Sequence, residues 1–213
     1  MQPIGIFGGT FDPIHYGHLR TALELKRALD LERLYFVPAA SPPHRAMPST
    51  DAALRLRMVK AAIEGEPGFA ADDRELKRSG PSYTIDTLAS FRAEFPDRPL
   101  CLLLGMDAFL NLPYWHKWRE LLDLAHIVVA QRPGWDAPRG GSVGELYLER
   151  RTVQSHELTQ SLHGRIHVQP VTQLEIASTD LRASLRAGVD PKFLVPDSVR
   201  QIILETECYA ENP

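Results

Sequence analysis

Cysteine is scarce in this sequence, and so are the features that mark secreted, membrane-spanning or strongly charged proteins. Its 213 residues include only Cys101 and Cys208, which excludes a disulfide framework and a cysteine-built zinc cluster. The first residues lack the charged, then apolar, pattern of a signal peptide, and no run reaches the roughly 18 apolar residues of a membrane span. A net charge of −3 predicts neither a nucleic-acid partner nor a membrane surface. Together these absences predict a cytoplasmic protein.

Two widespread nucleotide-binding motifs are missing as well. The sequence contains no G-x-x-x-x-G-K-[ST] segment, and no G-x-G-x-x-G follows its first apolar run at residues 4–7. A P-loop enzyme and an ordinary dinucleotide oxidoreductase are therefore excluded. Any phosphate site in this chain must use other donors.

Short apolar runs alternate with helical patterns, which is typical of βα units and a parallel sheet. The chain length and the 44% hydrophobic content predict one domain over residues 1–213, an α/β fold with a Rossmann-like, doubly wound parallel sheet. Residues 132–142, rich in proline and glycine, are expected to form a long loop. Strands are predicted at 4–7, 33–37, 69–71, 100–104, 127–130 and 166–171, and helices at 16–29, 51–64, 84–94, 118–124, 179–187 and 197–205.

The most informative segment is residues 8–19, Gly-Gly-Thr-Phe-Asp-Pro-Ile-His-Tyr-Gly-His-Leu. Its two opening glycines lack a Cβ and let the backbone approach a ligand closely, and Thr10 adds a hydroxyl donor. His15 and His18 lie one helical turn apart at a helix start, where N–H groups and the helix dipole favour an anion. Gly17 is expected to leave room for that anion. The segment predicts a phosphate site made of imidazoles and backbone N–H groups.

A second helix start lies near the carboxyl end, in the segment Ile-Ala-Ser-Thr-Asp-Leu-Arg at residues 176–182. Ser178 is predicted to be the N-cap, with Thr179 and Asp180 in the first turn. Arg182 shares a helix face with Ser178. This segment therefore predicts a second group of donors for the same anion.

These two segments together resemble the nucleotidyltransferase superfamily that carries an H-x-G-H motif. Further segments narrow the resemblance to the nicotinate mononucleotide adenylyltransferase family: Ser-Pro-Pro-His-Arg at 41–45, Ser-Tyr-Thr-Ile-Asp-Thr-Leu at 82–88, Leu-Gly-Met-Asp at 104–107 and Trp-His-Lys-Trp at 115–118. The resemblance runs from Gly8 to Arg182. Arg45 departs from the lysine that the family often has, and Ala177 from a common serine.

The resemblance implies an enzyme of NAD biosynthesis that transfers AMP from ATP to nicotinate mononucleotide, forming deamido-NAD and pyrophosphate. His18 is then expected to contact the α-phosphate in the transition state, and His15 to hold the ATP phosphates. Gly105 would admit the ribose, and Asp107 would accept hydrogen bonds from its hydroxyls. The remaining implied ATP contacts are Gly8, Gly9, Thr10, Phe11, Ser178, Thr179 and Arg182.

For the acceptor nucleotide the resemblance implies contacts with His44, Arg45, Thr84, Trp115 and Arg132. Mg²⁺ is expected to arrive with ATP, without a cage of protein ligands. Three other histidines lack regular ligand spacing and are predicted to lie at the surface: His156, His163 and His167. A homo-oligomer is left open by the sequence.

Several alternatives share parts of this pattern. The acceptor could instead be the amide mononucleotide, pantetheine phosphate or flavin mononucleotide, and the acid-or-amide choice cannot be made from one sequence. A relative of class I aminoacyl-tRNA synthetases would need a Lys-Met-Ser-Lys-Ser-like loop and a tRNA-binding domain, and neither is evident. A nucleotide sensor without catalysis on the same fold would be favoured by loss of either histidine, and both are present.

Overall fold

Seven strands form one parallel sheet in the computed structural model, which describes residues 1–42, 48–131, 138, 140–172 and 174–210. The strands are β1 (Ile4–Gly9), β2 (Arg33–Pro38), β3 (Phe69–Ala71), β4 (Leu100–Gly105), β5 (His126–Gln131), β6 (Arg151–Thr152) and β7 (Ile166–Pro170). Their order across the sheet is β3-β2-β1-β4-β5-β7-β6, and every neighbouring pair is parallel. This is the predicted doubly wound architecture, with the strand order reversing between β1 and β4.

The α-helices are α1 (Tyr16–Ala28), α2 (Ala52–Ala62), α3 (Thr84–Glu94), α4 (Met106–Leu110), α5 (Gly141–Arg150), α6 (Ser178–Arg186) and α7 (Asp197–Thr206), and the last two follow β7. Short 3₁₀ helices cover Leu112–Tyr114, Trp118–Asp123 and Ser155–Thr159. Within the described residues, no helix has the length and apolar character needed to cross a bilayer.

The sequence predicted all six longer strands and most helices within a few residues, but five elements were missed. These are β6, the five-residue α4, the 3₁₀ helices Leu112–Tyr114 and Ser155–Thr159, and α5, which begins at Gly141 inside the predicted loop. The segment predicted as a helix at 118–124 is a 3₁₀ helix. The shorter elements have too few residues for a periodic signal. The glycines in the first turn of α5 are typical of a loop, which is why this helix was missed.

The missed strand β6 also explains a wrong prediction about His167. This histidine was expected at the surface, yet it is only 5% exposed. Thr152 of β6 pairs with His167 of β7, and the His167 Nδ1 atom lies 3.1 Å from the Thr152 carbonyl oxygen. His156 and His163 do lie at the surface, as predicted.

The core is divided between the two faces of the sheet because side chains alternate along each strand. On β4, Cys101 and Leu103 pack with α1, α2 and α7 on one face, while Leu100, Leu102 and Leu104 pack with α3 and α4 on the other. Both sets are buried. Burial on two sides is why the strand reads as a continuous apolar run.

A crevice opens where β1 and β4 separate. Pairing between them stops at Ile6↔Leu102, whereas β1 stays paired with β2 to Gly9↔Pro38 and β4 with β5 to Gly105↔Ala130. The two strands therefore diverge at their carboxyl ends. In doubly wound sheets this switch point is where ligands bind.

Candidate active site

The loop between β1 and α1 forms one wall of this crevice. A Cβ atom built on Gly8 would meet no atom within 4 Å, so this backbone borders open space. At Gly9, by contrast, a Cβ would lie 2.8 Å from Cζ of Phe11. Phe11 is 2% exposed and adopts a positive φ of 49°, which turns its ring beneath the glycine. The glycine pair thus serves two purposes: access at Gly8 and close packing at Gly9.

His15 and His18 come together as their spacing predicts. Their ring centroids are 3.7 Å apart with an interplanar angle of 30°. His15 is the N-cap residue of α1 and is only 4% exposed, while His18 is half-buried with its ring edge-on to Phe11 at 5.2 Å. Two imidazoles this close repel each other when both are protonated, and a neighbouring anion offsets that repulsion. The pair is therefore suited to phosphate.

Gly17 has a different purpose from the one that the sequence suggested. A Cβ there would lie 2.9 Å from Nδ1 and 3.0 Å from Cε1 of His15, and 3.4 Å from the carbonyl oxygen of Ile176. The space beside Gly17 is thus taken by the His15 ring rather than left for an anion. Gly17 is required for the position of His15.

The start of α6 packs directly against the loop that precedes His15. The Ser178 hydroxyl donates to the Pro13 carbonyl oxygen at 3.1 Å, and Arg182 Nη1 donates to the Asp12 carbonyl oxygen at 2.7 Å. Ser178 is therefore not the N-cap that was predicted; Ala177 takes that position, and α6 begins at Ser178. Thr179 is exposed in the first turn of α6.

The side chain of Asp12 is a buried centre of hydrogen bonds that sequence reasoning missed. It is 3% exposed. Its Oδ2 atom accepts from the Ser49 backbone N–H at 2.8 Å, and its Oδ1 atom accepts from the hydroxyls of Thr50 at 2.9 Å and Tyr209 at 2.7 Å. Asp12 lies inside the glycine-histidine motif, which is a signal for its importance, but nothing in the sequence points to its partners.

Arg55 fixes the same loop from α2. It is 1% exposed, and its guanidinium donates to the carbonyl oxygens of Thr10 at 2.7 Å and Thr50 at 3.3 Å. Burial lowers the pKa of Arg55, while the charge of Asp12 opposes that effect. Thr10 is thus held through its carbonyl group.

At the other wall of the crevice, β4 ends at Gly105 and Asp107 follows in α4. Asp107 is exposed and lies in the first turn of α4, whose N-cap is Gly105. A Cβ on Gly105 would lie 2.7 Å from Asp107 Oδ1. The glycine therefore lets the carboxylate fold back beside the strand end.

Thr84, the first residue of α3, lies in a segment that is tied to the end of β2. The Ser82 hydroxyl accepts hydrogen bonds from the backbone N–H groups of Ala40 at 3.0 Å and Ser41 at 3.1 Å. The Tyr83 ring lies 4.5 Å from that of His116. The sequence pointed to Thr84 but not to the contacts that hold its neighbours in place, which are made by Ser82, Tyr83 and His116.

Trp115 is half-buried and packs against the core beneath β4, and Trp118 does the same, as expected for the latter. His44, Arg45 and Arg132, which were assigned to the acceptor, lie outside the described residues. In the part of the chain that the structure describes, no three His, Cys, Asp or Glu side chains are grouped to hold a metal ion. Cys101 and Cys208 are free thiols, and burial raises the pKa of Cys101 to about 12.

Known proteins resemble this sequence over nearly its whole length. The cytidylyltransferase-like family profile matches residues 6–184. A probable nicotinate-nucleotide adenylyltransferase of Methylococcus capsulatus is 50% identical over 209 residues, covering 98% of this chain and 100% of that protein. One from Aeromonas hydrophila is also 50% identical, covering 97% of each chain.

Solved structures share the fold. Nicotinic acid mononucleotide adenylyltransferase of Plasmodium falciparum, in a complex with NaAD, has a TM-score of 0.73 and covers 98% of both chains at 16% identity. A putative nicotinate-nucleotide adenylyltransferase of Vibrio parahaemolyticus has a TM-score of 0.66 at 19% identity, covering 100% of this chain and 98% of the other.

Proposed function

Because this chain belongs to the cytidylyltransferase-like family, we propose that it is a nucleotidyltransferase that transfers AMP from ATP to nicotinate mononucleotide. The products are pyrophosphate and deamido-NAD, an intermediate of NAD biosynthesis. Relatives that are 50% identical over nearly the whole chain and bear the name nicotinate-nucleotide adenylyltransferase support this substrate pair. The observation that carries the proposal is the His15–His18 ring pair at the crevice between β1 and β4. We treat residues 1–213 as one catalytic domain.

The reaction needs positioning and charge stabilisation more than acid–base chemistry. A 5′-phosphate oxygen of nicotinate mononucleotide attacks the α-phosphorus of ATP, and the bond from that phosphorus to the bridging oxygen of pyrophosphate breaks. The attacking phosphate is already ionised near neutral pH, so no general base is required. Orientation of two bound reactants supplies on the order of 7–11 kcal/mol, and charge stabilisation supplies much of the rest.

The ATP site is assigned to the loop between β1 and α1, the end of β4 and the start of α6. We assign to His18 the contact with the α-phosphate in the transition state and to His15 the neighbouring phosphate oxygens. The Arg182 guanidinium, held by the Asp12 carbonyl, would face the triphosphate from α6. Further proposed contacts are Gly8, Gly9, Thr10, Phe11, Ser178 and Thr179, with Gly105 and Asp107 at the ribose.

The acceptor site is assigned to the side of the crevice formed by the start of α3. Thr84 and the first N–H groups of α3 would receive the nicotinate carboxylate, since a helix start favours an anion. Trp115 is proposed to stack on the pyridine ring. His44, Arg45 and Arg132 remain proposed contacts for the acceptor phosphate or pyrophosphate.

We further propose that Mg²⁺ enters bound to ATP, whose phosphate oxygens supply its ligands. The task proposed for the protein side chains is to orient the nucleotide that carries the ion. A cytoplasmic location is proposed because both substrates are intracellular nucleotides.

A pyrophosphate-release assay with ATP tests the function directly. Nicotinate mononucleotide and its amide are compared side by side, and we expect faster turnover with the acid. Equal or faster turnover with the amide would overturn the choice of acceptor. ATP binding without turnover of either nucleotide would instead favour a non-catalytic sensor.

The role of His18 is tested in the same assay. We expect His18→Ala to lower kcat about 10²- to 10³-fold, the cost of losing one group that stabilises transition-state charge. ATP affinity, measured by calorimetry, should change far less. His156→Ala, an exposed histidine in a 3₁₀ helix, is the matched control. A near-normal rate for His18→Ala would show that another residue stabilises the α-phosphate.

A further inference from the structure

Tyr209 lies beyond the last helix, yet its side chain reaches the loop that carries the candidate catalytic histidines. α7 ends at Thr206, and the next residue, Glu207, adopts a left-handed conformation with φ of 49° that turns the chain back. Tyr209 is 4% exposed and belongs to the core that contains Phe11 and Ile14. Its hydroxyl donates to Asp12 Oδ1 at 2.7 Å across 197 residues of sequence.

The carboxylate that Tyr209 contacts is held by several donors at once. Thr50 donates to the same Oδ1 atom at 2.9 Å, and the Ser49 N–H donates to Oδ2 at 2.8 Å. Arg182 Nη1 lies 4.0 Å from Oδ2. Hydrogen bonds to a buried charged group are among the stronger ones in proteins, so this network defines the position of Asp12.

The Asp12 backbone transmits that position to the site. Its carbonyl oxygen accepts from Arg182 Nη1 at 2.7 Å, and the next carbonyl, of Pro13, accepts from the Ser178 hydroxyl at 3.1 Å. His15 follows two residues after Pro13. The anchored Asp12 side chain therefore restrains the backbone from which both the histidine loop and the Arg182 guanidinium take their positions.

The Tyr209 hydroxyl is well suited to be a constant donor. Burial raises the pKa of Tyr209, and the charge of Asp12 raises it further. The phenol therefore keeps its proton throughout the pH range in which an enzyme of this kind works.

We propose that Tyr209 is a positioning residue for adenylyl transfer, which acts through Asp12 on the His15 loop and on Arg182. This inference rests on the proposed function, because it concerns the rate of that reaction. Tyr209 is buried and is not proposed to touch the nucleotides. Its contribution is to the alignment of groups that do, and small misalignments of such groups lower kcat by one or two orders of magnitude.

The test is Tyr209→Phe, which keeps the buried ring and removes only the hydroxyl. We expect kcat to fall about tenfold at saturating ATP and nicotinate mononucleotide. The KM for nicotinate mononucleotide should change less than about twofold, since the side-chain partners of Asp12 do not include Thr84 or Trp115, the proposed contacts of the nicotinate ring. Unfolding curves measured in parallel verify that the variant is folded at the assay temperature.

Ser198→Ala is the matched control, because it removes a tertiary hydroxyl contact from the same carboxyl-terminal region. The Ser198 hydroxyl donates to the Ala61 carbonyl oxygen of α2 at 2.9 Å and makes no contact with Asp12. It should leave kcat unchanged. Thr50→Val removes the second hydroxyl that donates to Asp12 Oδ1 and should also lower kcat. It replaces Tyr209→Phe in the test if that variant does not fold.

A double-mutant cycle with Asp12→Asn separates positioning from a general effect on the fold. If Tyr209 acts through Asp12, the two changes combined should lower kcat by little more than Asp12→Asn does alone. Multiplicative effects, or an unchanged kcat in both Tyr209→Phe and Thr50→Val while the wild type is active, would overturn this inference and leave the proposed function standing. An inactive wild type would overturn both.

Discussion

Single residues in this protein are constrained by neighbours that the sequence does not place beside them. Gly17 illustrates this point. Its φ is not positive, so the constraint is contact: the His15 ring occupies the space that a Cβ would need. His15 in turn lies 3.7 Å from His18. The position of two proposed phosphate-binding rings therefore depends on a hydrogen atom at position 17.

Gly17→Ala should separate activity from stability. Its Cβ would lie 2.9 Å from His15 Nδ1, so we expect the ring to be displaced and kcat for AMP transfer to fall about tenfold or more. Alanine is the better helix former, so the free energy of unfolding should fall little or not at all. Steady-state kinetics and urea unfolding measure the two quantities.

Gly140→Ala is the control for Gly17→Ala. A Cβ at Gly140 would meet no atom within 4 Å, and its φ of −135° is accessible to alanine. It should leave kcat unchanged and lower the free energy of unfolding by less than about 1 kcal/mol, because Gly140 is the N-cap of α5, where alanine is less favoured than glycine. Full activity of Gly17→Ala would mean that the His15 ring position is not important for the reaction.

At the scale of elements, the ends of strands determine both where the candidate site forms and how the stability of the fold depends on pH. The carboxyl ends of β1 and β4 separate to form the crevice. At the amino end of β5, His126 is fully buried. Its Nδ1 accepts from the Arg165 backbone N–H at 3.1 Å, and its Nε2 lies 2.9 Å from the Ser161 carbonyl oxygen. Only a neutral imidazole with its proton on Nε2 satisfies both contacts.

The neutral state of His126 predicts acid sensitivity. Burial lowers the pKa of His126 from 6.5 to about 4. The unfolded chain therefore binds more protons between these values, so this contribution to stability is complete above pH 6.5 and is lost as pH falls towards 4. The shift corresponds to about 3 kcal/mol. Urea unfolding across this pH range should give a smaller loss for His126→Gln than for the wild type.

His156→Gln is the control for this pH effect, because His156 is exposed and is not among the groups that shift the pKa of His126. It should keep the wild-type dependence of unfolding free energy on pH. An unchanged dependence in His126→Gln would show that other titratable groups account for the acid sensitivity.

At the scale of the whole molecule, buried or half-buried arginines connect segments that are distant in sequence. Arg55 connects α2 to the loop after β1. Arg92 of α3 donates to the carbonyl oxygens of Arg98 at 2.7 Å, Leu124 at 2.7 Å and Leu162 at 2.9 Å. These carbonyls precede β4, β5 and β7, so one guanidinium holds the entrances of three strands.

Arg92→Lys should therefore destabilise the fold while it keeps the charge. A lysine ammonium cannot span several carbonyl groups as the planar guanidinium does. We expect a loss of about 2–3 kcal/mol in the free energy of unfolding, measured with urea. Arg186→Lys, an exposed position in the last turn of α6, is the control and should change stability by less than about 0.5 kcal/mol. Equal stability of the two variants would contradict this account of Arg92.

The sequence alone determined the doubly wound parallel sheet, the family resemblance and the pairing of His15 with His18. Each follows from local signals. Apolar periodicity predicts the strands and helices, and residues three positions apart at a helix start are close in space because they are one turn apart. The assignments of individual residues to ATP and to the acceptor stay predictions, and His44, Arg45 and Arg132 lie outside the described residues.

Only the tertiary structure decided what surrounds those signals. It replaced the N-cap role of Ser178 with a hydrogen bond to Pro13, buried His167 beside β6 and brought Tyr209 to Asp12. Contacts between residues tens to nearly two hundred positions apart leave no periodic trace in a single sequence. The packing of the elements selects the partners in these contacts. The motif can therefore be read from the sequence, whereas the residues that hold the motif in place cannot.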